Sequence, residues 1–228
     1  MSISDNLLKV QENINNALIR AGRKDDVTFI AVTKTVDVQR INEAIKAGAK
    51  NLGENKVQEV MDKFDKINDK VNWHMIGHLQ TNKVKYIIDK VCLIHSLDRI
   101  SLAEEIDKRA KGKNIIKDVL LEVNIGEEES KFGLKKEEVV PFVENVLNFE
   151  NLRIKGLMTV APFSEKPEDV RYVFRELKKL GENIESRHYE NVEMKFYSMG
   201  MTNDYEIAIE EGSNMVRIGT AIFGKRVY

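Results

Sequence analysis

Eight short apolar runs, each followed by a stretch with helical spacing, constrain this chain more than any other feature of its sequence. The runs are VTFIAVT (27–33), KNLG (50–53), NWHMIG (72–77), VCLIHS (91–96), DVLLEVN (118–124), IKGLMTV (154–160), MKFYSMG (194–200) and MVRIGT (215–220). Several are continuously apolar rather than alternating, as expected of parallel strands covered by helices. Between them, DVQRINEAIKAG sets Val38, Ile41, Ala44 and Ile45 on one stripe and stops at Gly48. SLAEEIDKRAKG begins near Asp98 or Ser101 and stops at Gly112, and PEDVRYVFRELKKLGENI opens on Pro167, which suits a first turn. Asp98, Ser101 and Asp204 are the expected caps, and SISDNLLKVQENINNALIRAG adds a helix ahead of the first strand. Strict alternation of strand and helix implies a parallel sheet, and eight such units imply a closed (β/α)8 TIM barrel. An open doubly wound sheet is the alternative, but it usually has fewer strands and often a glycine-rich first turn; the first turn here, VTKTVD, has no glycine. With 3 prolines and no linker-like segment, residues 1–228 are expected to form a single domain.

Charge narrows the partners. Lys plus Arg is 36 and Asp plus Glu is 37, for a net charge of −1, and the charges are mixed along helical segments. That balance argues against nucleic-acid and membrane-surface binding. The one cysteine, Cys92, excludes a disulfide framework or a cysteine cluster within one chain, and its apolar neighbours predict core packing. No long apolar stretch is present at the N-terminus or elsewhere, so the expected location is cytoplasmic.

In a barrel of this kind, chemistry gathers where strands end in βα loops. Strand one ends on Lys34, a residue seldom fully buried. The loops after strands seven and eight, SMGMTND and RIGTAIFG, each join a small hydroxyl residue to a glycine ahead of a helix start. Ser198, Gly200, Gly219 and Thr220 are therefore candidate phosphate ligands, although glycines at such turns also serve tight geometry alone. Arg217 shares a strand face with Gly219 by the period of two. Its guanidinium requires a buried partner, either Glu122 or a ligand acceptor. Lys34 is either an electrostatic clamp or an amine nucleophile able to form a Schiff base. A phosphate cup, a strand-end lysine and an arginine aimed at a ring nitrogen are together what pyridoxal phosphate needs.

The segments AVTKTV, GENKVQE, HMIGHLQTNK, HSLDR, SKFGL, GLMTVAP and FYSMGMTNDYEIAIEEGSNMVRIGTAIFG resemble, nearly end to end, the YggS/PROSC family of pyridoxal phosphate homeostasis proteins. The resemblance implies a barrel similar to the alanine racemase N-terminal domain. It implies pyridoxal 5′-phosphate held as an internal aldimine on Lys34, with Asn55 beside the ring, Ser198, Gly200, Gly219 and Thr220 at the phosphate, and Arg217 at the pyridine nitrogen. It further implies buffering, delivery or protection of the cofactor without robust turnover, and apo-enzymes that use the cofactor as recipients. A monomer is the expectation, with a dimer as the alternative. An amino-acid racemase is the second reading; it needs another base, for which His78, His95 and Tyr197 are the candidates. Lys56, Lys83 and Lys131 are candidates for transient attachment of a second cofactor.

Overall fold

The computed structural model describes residues 2–67, 69–128 and 130–224. The chain enters through α1 (Ile3–Arg20), whose start is fixed by a reciprocal cap. The Ser2 hydroxyl accepts from the Asp5 N–H at 3.1 Å and the Asp5 carboxylate accepts from the Ser2 N–H at 3.0 Å. Ile3, Leu7, Val10, Ile14 and Ala17 form its buried stripe.

Eight strands follow: β1 (Thr28–Val32), β2 (Asn51–Glu54), β3 (Asn72–Met75), β4 (Leu93–Leu97), β5 (Lys117–Glu122), β6 (Leu152–Met158), β7 (Val192–Met201) and β8 (Met215–Ile218). They close in sequence order into a barrel, every neighbouring pair is parallel, and β1 pairs with β8 to complete the ring. The helices outside the barrel are α2 (Val38–Lys46), α3 (Val57–Phe64), α4 (Val84–Ile87), α5 (Ile100–Gly112), α6 (Val139–Val146), α7 (Arg171–Glu185), α8 (Tyr205–Glu210) and α9 (Thr220–Phe223). The expected TIM barrel and its extra leading helix are therefore present. None of the described helices is long and apolar enough to cross a membrane.

Two apolar layers hold this arrangement. The larger one joins the outward strand residues to the helices, and a smaller one inside the barrel contains Ile30, Leu93, Leu120, Met158 and Met215. Alternation along each strand assigns the layers: on β8, Val216 and Ile218 belong to the outer core while Met215 and Arg217 face inward.

Local details differ from the sequence expectation. Asp37 caps α2 by accepting from the Arg40 N–H at 2.9 Å, but Asp98 and Ser101 are not caps. Arg99 takes the cap position of α5, while the Asp98 carboxylate pairs with Arg99 at 2.6 Å and lies 3.7 Å from His78. Asp204 stands at the start of α8, yet its carboxylate accepts from the Met201 N–H at 2.6 Å rather than from a helical N–H. Strand β7 runs through Met201, and its register against β8 shifts between Ser198 and Met201. That irregularity decides which residues reach the barrel mouth.

α1 packs across α8 and α9 rather than along a strand. Asn6 donates to the Ile222 carbonyl at 2.9 Å, and Asn13 donates to the Tyr205 hydroxyl at 3.0 Å.

Candidate functional site

Lys34 follows the last residue of β1, and both of its neighbours are anchored. The Thr33 hydroxyl donates to Glu54 Oε1 at 2.6 Å, and the Thr33 carbonyl accepts from Lys63 Nζ at 2.8 Å. On the other side the Thr35 N–H donates to Glu59 Oε2 at 2.7 Å. Lys63, buried on α3, also bridges Glu54 at 2.9 Å and Glu59 at 2.8 Å. Burial raises the Glu54 carboxyl above its ordinary range, against the hydrogen bonds from Lys63 and Thr33. Burial acts the same way on Glu59, where Lys63 and the Thr35 N–H outweigh it and leave the carboxyl lowered. Thr35 is held at φ 63°, a left-handed conformation that costs a threonine about 1–3 kcal/mol. The buried network imposes that conformation and fixes where the Lys34 side chain departs from the backbone.

Lys34 opens into a cleft of about 480 Å³ at the C-terminal mouth, shared with Lys131, Arg217, Gly219, Thr220 and the Thr202–Asp204 loop. The loops after β7 and β8 meet here, with Thr202 Oγ1 accepting from the Ala221 N–H at 3.4 Å. Ser198 and Gly200 stand behind this cup rather than in it. Ser198 is fully buried, and its hydroxyl is taken up by Arg217 and His95. Gly200 has φ 92° and lies where an added Cβ would come within 2.6 Å of Ala208 Cβ and 2.8 Å of Tyr205 Cα. It lets α8 pack closely, and Thr202 and Asn203 occupy the cleft wall that the sequence pattern assigned to Ser198 and Gly200.

Arg217 is buried and donates to the Ser198 carbonyl and hydroxyl, both at 2.7 Å, and to the Thr159 carbonyl at 2.8 Å. Three contacts leave further N–H donors uncommitted among the described residues. Glu122 does not hydrogen-bond it, contrary to one expectation; it acts through charge, as does Asp204. Burial lowers the guanidinium to about 10, against those two acids. Glu122 Oε2 is itself buried without a hydrogen bond, and burial, reinforced by Asp98, pushes its pKa up to about 7.

Inside the barrel, His95 Nδ1 lies 3.0 Å from Ser198 Oγ and His95 Nε2 lies 3.1 Å from His74 Nδ1. His74 Nε2 is 3.3 Å from Asn51 Oδ1. Burial lowers His74 to about 4 and His95 well below its ordinary range. These shifts predict how stability varies with pH. Glu122 keeps its proton in the folded state up to about 7, so it removes stability as pH rises from its ordinary range through that value, by roughly 3 kcal/mol at the limit. The two neutral histidines act oppositely: the unfolded chain protonates them below about 6.5, so stability falls as pH drops further. For these three groups the two histidines outweigh Glu122 where their ranges overlap, so stability rises with pH to about 6.5 and is level above about 7. Denaturant unfolding followed across pH is expected to show this rise and plateau. Glu122→Gln is expected to steepen the rise, and an unchanged slope would mean the carboxyl is ionised throughout.

Asn55 lies in a different cavity of about 630 Å³, with Lys56, His78, Gln80, Lys83 and Tyr86. This larger cavity shares no lining residue with the Lys34 cleft, so the structure does not bring Asn55 together with Lys34 and Arg217. Lys131 belongs to the main cleft, where its ammonium donates to the Val160 and Ala161 carbonyls at 3.3 and 3.0 Å and pairs with Glu128. Of the proposed second bases, His78 stacks on Phe132 with centroids 3.9 Å apart, and His95 is enclosed within the barrel. Tyr197 faces outward against α7 beneath Lys178, whose Nζ is 4.0 Å from the ring centroid.

Cys92 corrects another expectation. It precedes β4 at the opposite, N-terminal mouth, exposes part of its surface, and places Sγ 3.5 Å from His74 Nε2. Burial of the thiol raises it to about 11, so its position at the mouth does not make it a ready thiolate.

This fold and strand-end lysine define a class: residues 6–227 match the family described as alanine racemase, N-terminal domain. An alanine racemase of Clostridium difficile 630 shares the fold, with a TM-score of 0.75 at 16% identity over 98% of this chain and 58% of its own. Nearer relatives narrow the class. The pyridoxal phosphate homeostasis protein of Aquifex aeolicus is 47% identical, covering 100% of both chains. PipY of Synechococcus elongatus PCC7942, solved with PLP bound, superposes with a TM-score of 0.85 at 26% identity, covering 98% of this chain and 100% of its own. The chain belongs to the pyridoxal phosphate homeostasis protein family.

Proposed function

We propose that this chain binds pyridoxal 5′-phosphate in the Lys34 cleft and serves to buffer, deliver or protect that cofactor, as one domain spanning residues 1–228. The convergence of Lys34, Arg217, Gly219 and Thr220 on one cleft carries the reading, in a chain 47% identical along its full length to a relative named for this role. The residues suit the group: Lys34 supplies an amine, Arg217 retains donors for a ring nitrogen, and the loops after β7 and β8 converge at a cup for a phosphate. When bound, the cofactor supplies an aldehyde that an amine captures covalently and a ring that accepts electron density.

Racemisation is the weaker reading. A neighbouring guanidinium disfavours protonation of the ring nitrogen and weakens the ring as an electron sink. His95 and Tyr197 are packed away from the cleft, and His78 is stacked on Phe132 and lines a different cavity. The expected recipients are apo-enzymes that use the cofactor. The proposed setting is a reducing cytoplasm, consistent with the one cysteine being free.

The test combines trapping with transfer. Borohydride treatment of protein loaded with pyridoxal phosphate is expected to label Lys34 in peptide maps. Loaded protein is then expected to activate an apo-enzyme faster than free cofactor at equal concentration. Label confined to Lys56, Lys83 or Lys131 would overturn the site, and α-proton exchange of amino acids at enzymatic rates would overturn the carrier role.

A further inference from the structure

A line of polar side chains runs through the barrel from its N-terminal to its C-terminal mouth. It passes from Asn51 at the start of β2, through His74 on β3 and His95 on β4, to Ser198 on β7 and Arg217 on β8. The histidine roles follow from the tautomer, and the groups at the two ends select one direction for the chain. Arg217 only donates, so Ser198 Oγ accepts from it and must send its own proton to His95 Nδ1. His95 then carries its proton on Nε2 and donates to His74 Nδ1, and His74 carries its proton on Nε2 and donates to Asn51 Oδ1. Asn51 Oδ1 is set as an acceptor by the Asn72 amide, which donates to it at 3.0 Å. The opposite assignment would place two donors on Ser198 Oγ, leave its own proton without a partner, and set a bare His74 nitrogen against a carbonyl oxygen with only the weak Cys92 thiol donor at 3.5 Å to serve it. In a buried chain each such failure is costly.

We infer that Asn51, His74, His95 and Ser198 act as positioning residues, a one-way hydrogen-bond chain that holds Arg217 fixed and cationic toward the ring nitrogen of the cofactor. The inference rests on the cofactor reading above. Ser198, oriented by His95, presents Arg217 with a hydroxyl polarised to accept. The charged groups acting on Arg217 are Glu122 from β5 and Asp204 after β7; His95 sits between His74 and Arg217. At the far mouth the titratable neighbours are Cys92 beside His74, and Lys117 and Asp118 on β5, with Asp118 paired to Arg153 at 2.7 Å. If Ser198 loses its acceptor, Arg217 loses an oriented partner and the ring nitrogen is freer to take a proton. Positive charge in the ring then drives the proton off the Lys34 nitrogen at lower pH.

Two measurements test this. Long-range 15N–1H spectra of the histidine rings, recorded on the protein without cofactor, are expected to show His74 and His95 neutral with the proton on Nε2. A proton on Nδ1 of His95 would overturn the chain whether or not cofactor binds. The second measurement is the pH midpoint of the visible band in loaded protein. His95→Leu is expected to move it down by about one unit or more, a tenfold change in the proton equilibrium. His95→Gln, which can still accept from Ser198 and donate to His74, is expected to restore the parent midpoint. Asn51→Leu, a change at the opposite mouth, is expected to shift it in the same direction as His95→Leu. A parent that forms the visible band but has variants with unaltered midpoints would overturn this inference alone; a parent that forms no band would overturn the cofactor reading and the positioning role together.

Discussion

A Lys34→Ala variant is expected to fold like the parent and to lose the borohydride-trapped adduct completely. The structural argument is that Lys34 sits at the barrel mouth while its placement depends on its neighbours: Thr33 is held by Glu54 and Lys63, and Thr35 by Glu59. Truncating a half-buried side chain at a strand end is expected to change stability by no more than about 1 kcal/mol. Loss of covalent attachment with little change in unfolding midpoint would separate the site from the scaffold. Lys34→Arg sharpens the test, because arginine keeps the charge but its guanidinium does not serve as the amine nucleophile. A clamp would survive that change and hold the phosphate. A covalent anchor would not hold the cofactor against dialysis. Retention of a reducible chromophore in either variant would refute the assignment.

Gly156→Ala is expected to have the largest effect on stability. Gly156 lies in β6 at φ 143°, and a Cβ built there would stand 1.8 Å from the Phe196 carbonyl oxygen of β7. The obstacle is backbone, so no rotamer change relieves it, and the positive φ adds strain for any residue with a side chain. Relief requires β6 and β7 to separate, at an expected cost of about 4 kcal/mol or more. Thr159 and Ser198, the hydrogen-bond partners of Arg217, lie just beyond the disturbed pairing. Cofactor affinity is therefore expected to fall together with the denaturation midpoint. A loss below about 1 kcal/mol would show that the strands have room the structure does not display.

The barrel was legible because its signal is repeated and local. Runs such as FIAV and LLEV are apolar on successive residues, and amphipathic stripes such as Val38, Ile41, Ala44 and Ile45 separate them. That Lys34, Arg217, Gly219 and Thr220 share one cleft was legible because strand ends and the period of two place them. Sequence spacing places Ser198 and Gly200 at the cup because it ends the seventh strand at residue 200. The irregular pairing around Gly200 instead carries β7 through Met201 and brings Thr202 and Asn203 to the mouth. The Glu54–Lys63–Glu59 cluster was not visible as a unit, since each charge reads separately as an ordinary helix or strand-end residue. His74 and His95 meet only when neighbouring strands fix their register inside a closed ring. Cys92 reads as a core residue in the sequence because its apolar neighbours do not reveal that the strand begins one residue later, at Leu93.

α1 gives the barrel an unusual dependence on its own beginning. Its asparagines bind Ile222 in α9 and the Tyr205 hydroxyl in α8, and those two helices follow the loops that meet at the Lys34 cleft. Coupling between sites is reciprocal: an anion that steadies the loops must also steady the helix that braces them. On the proposed reading the leading helix would share in the ligand's binding energy without touching the ligand, and a change in its packing is expected to change cofactor retention.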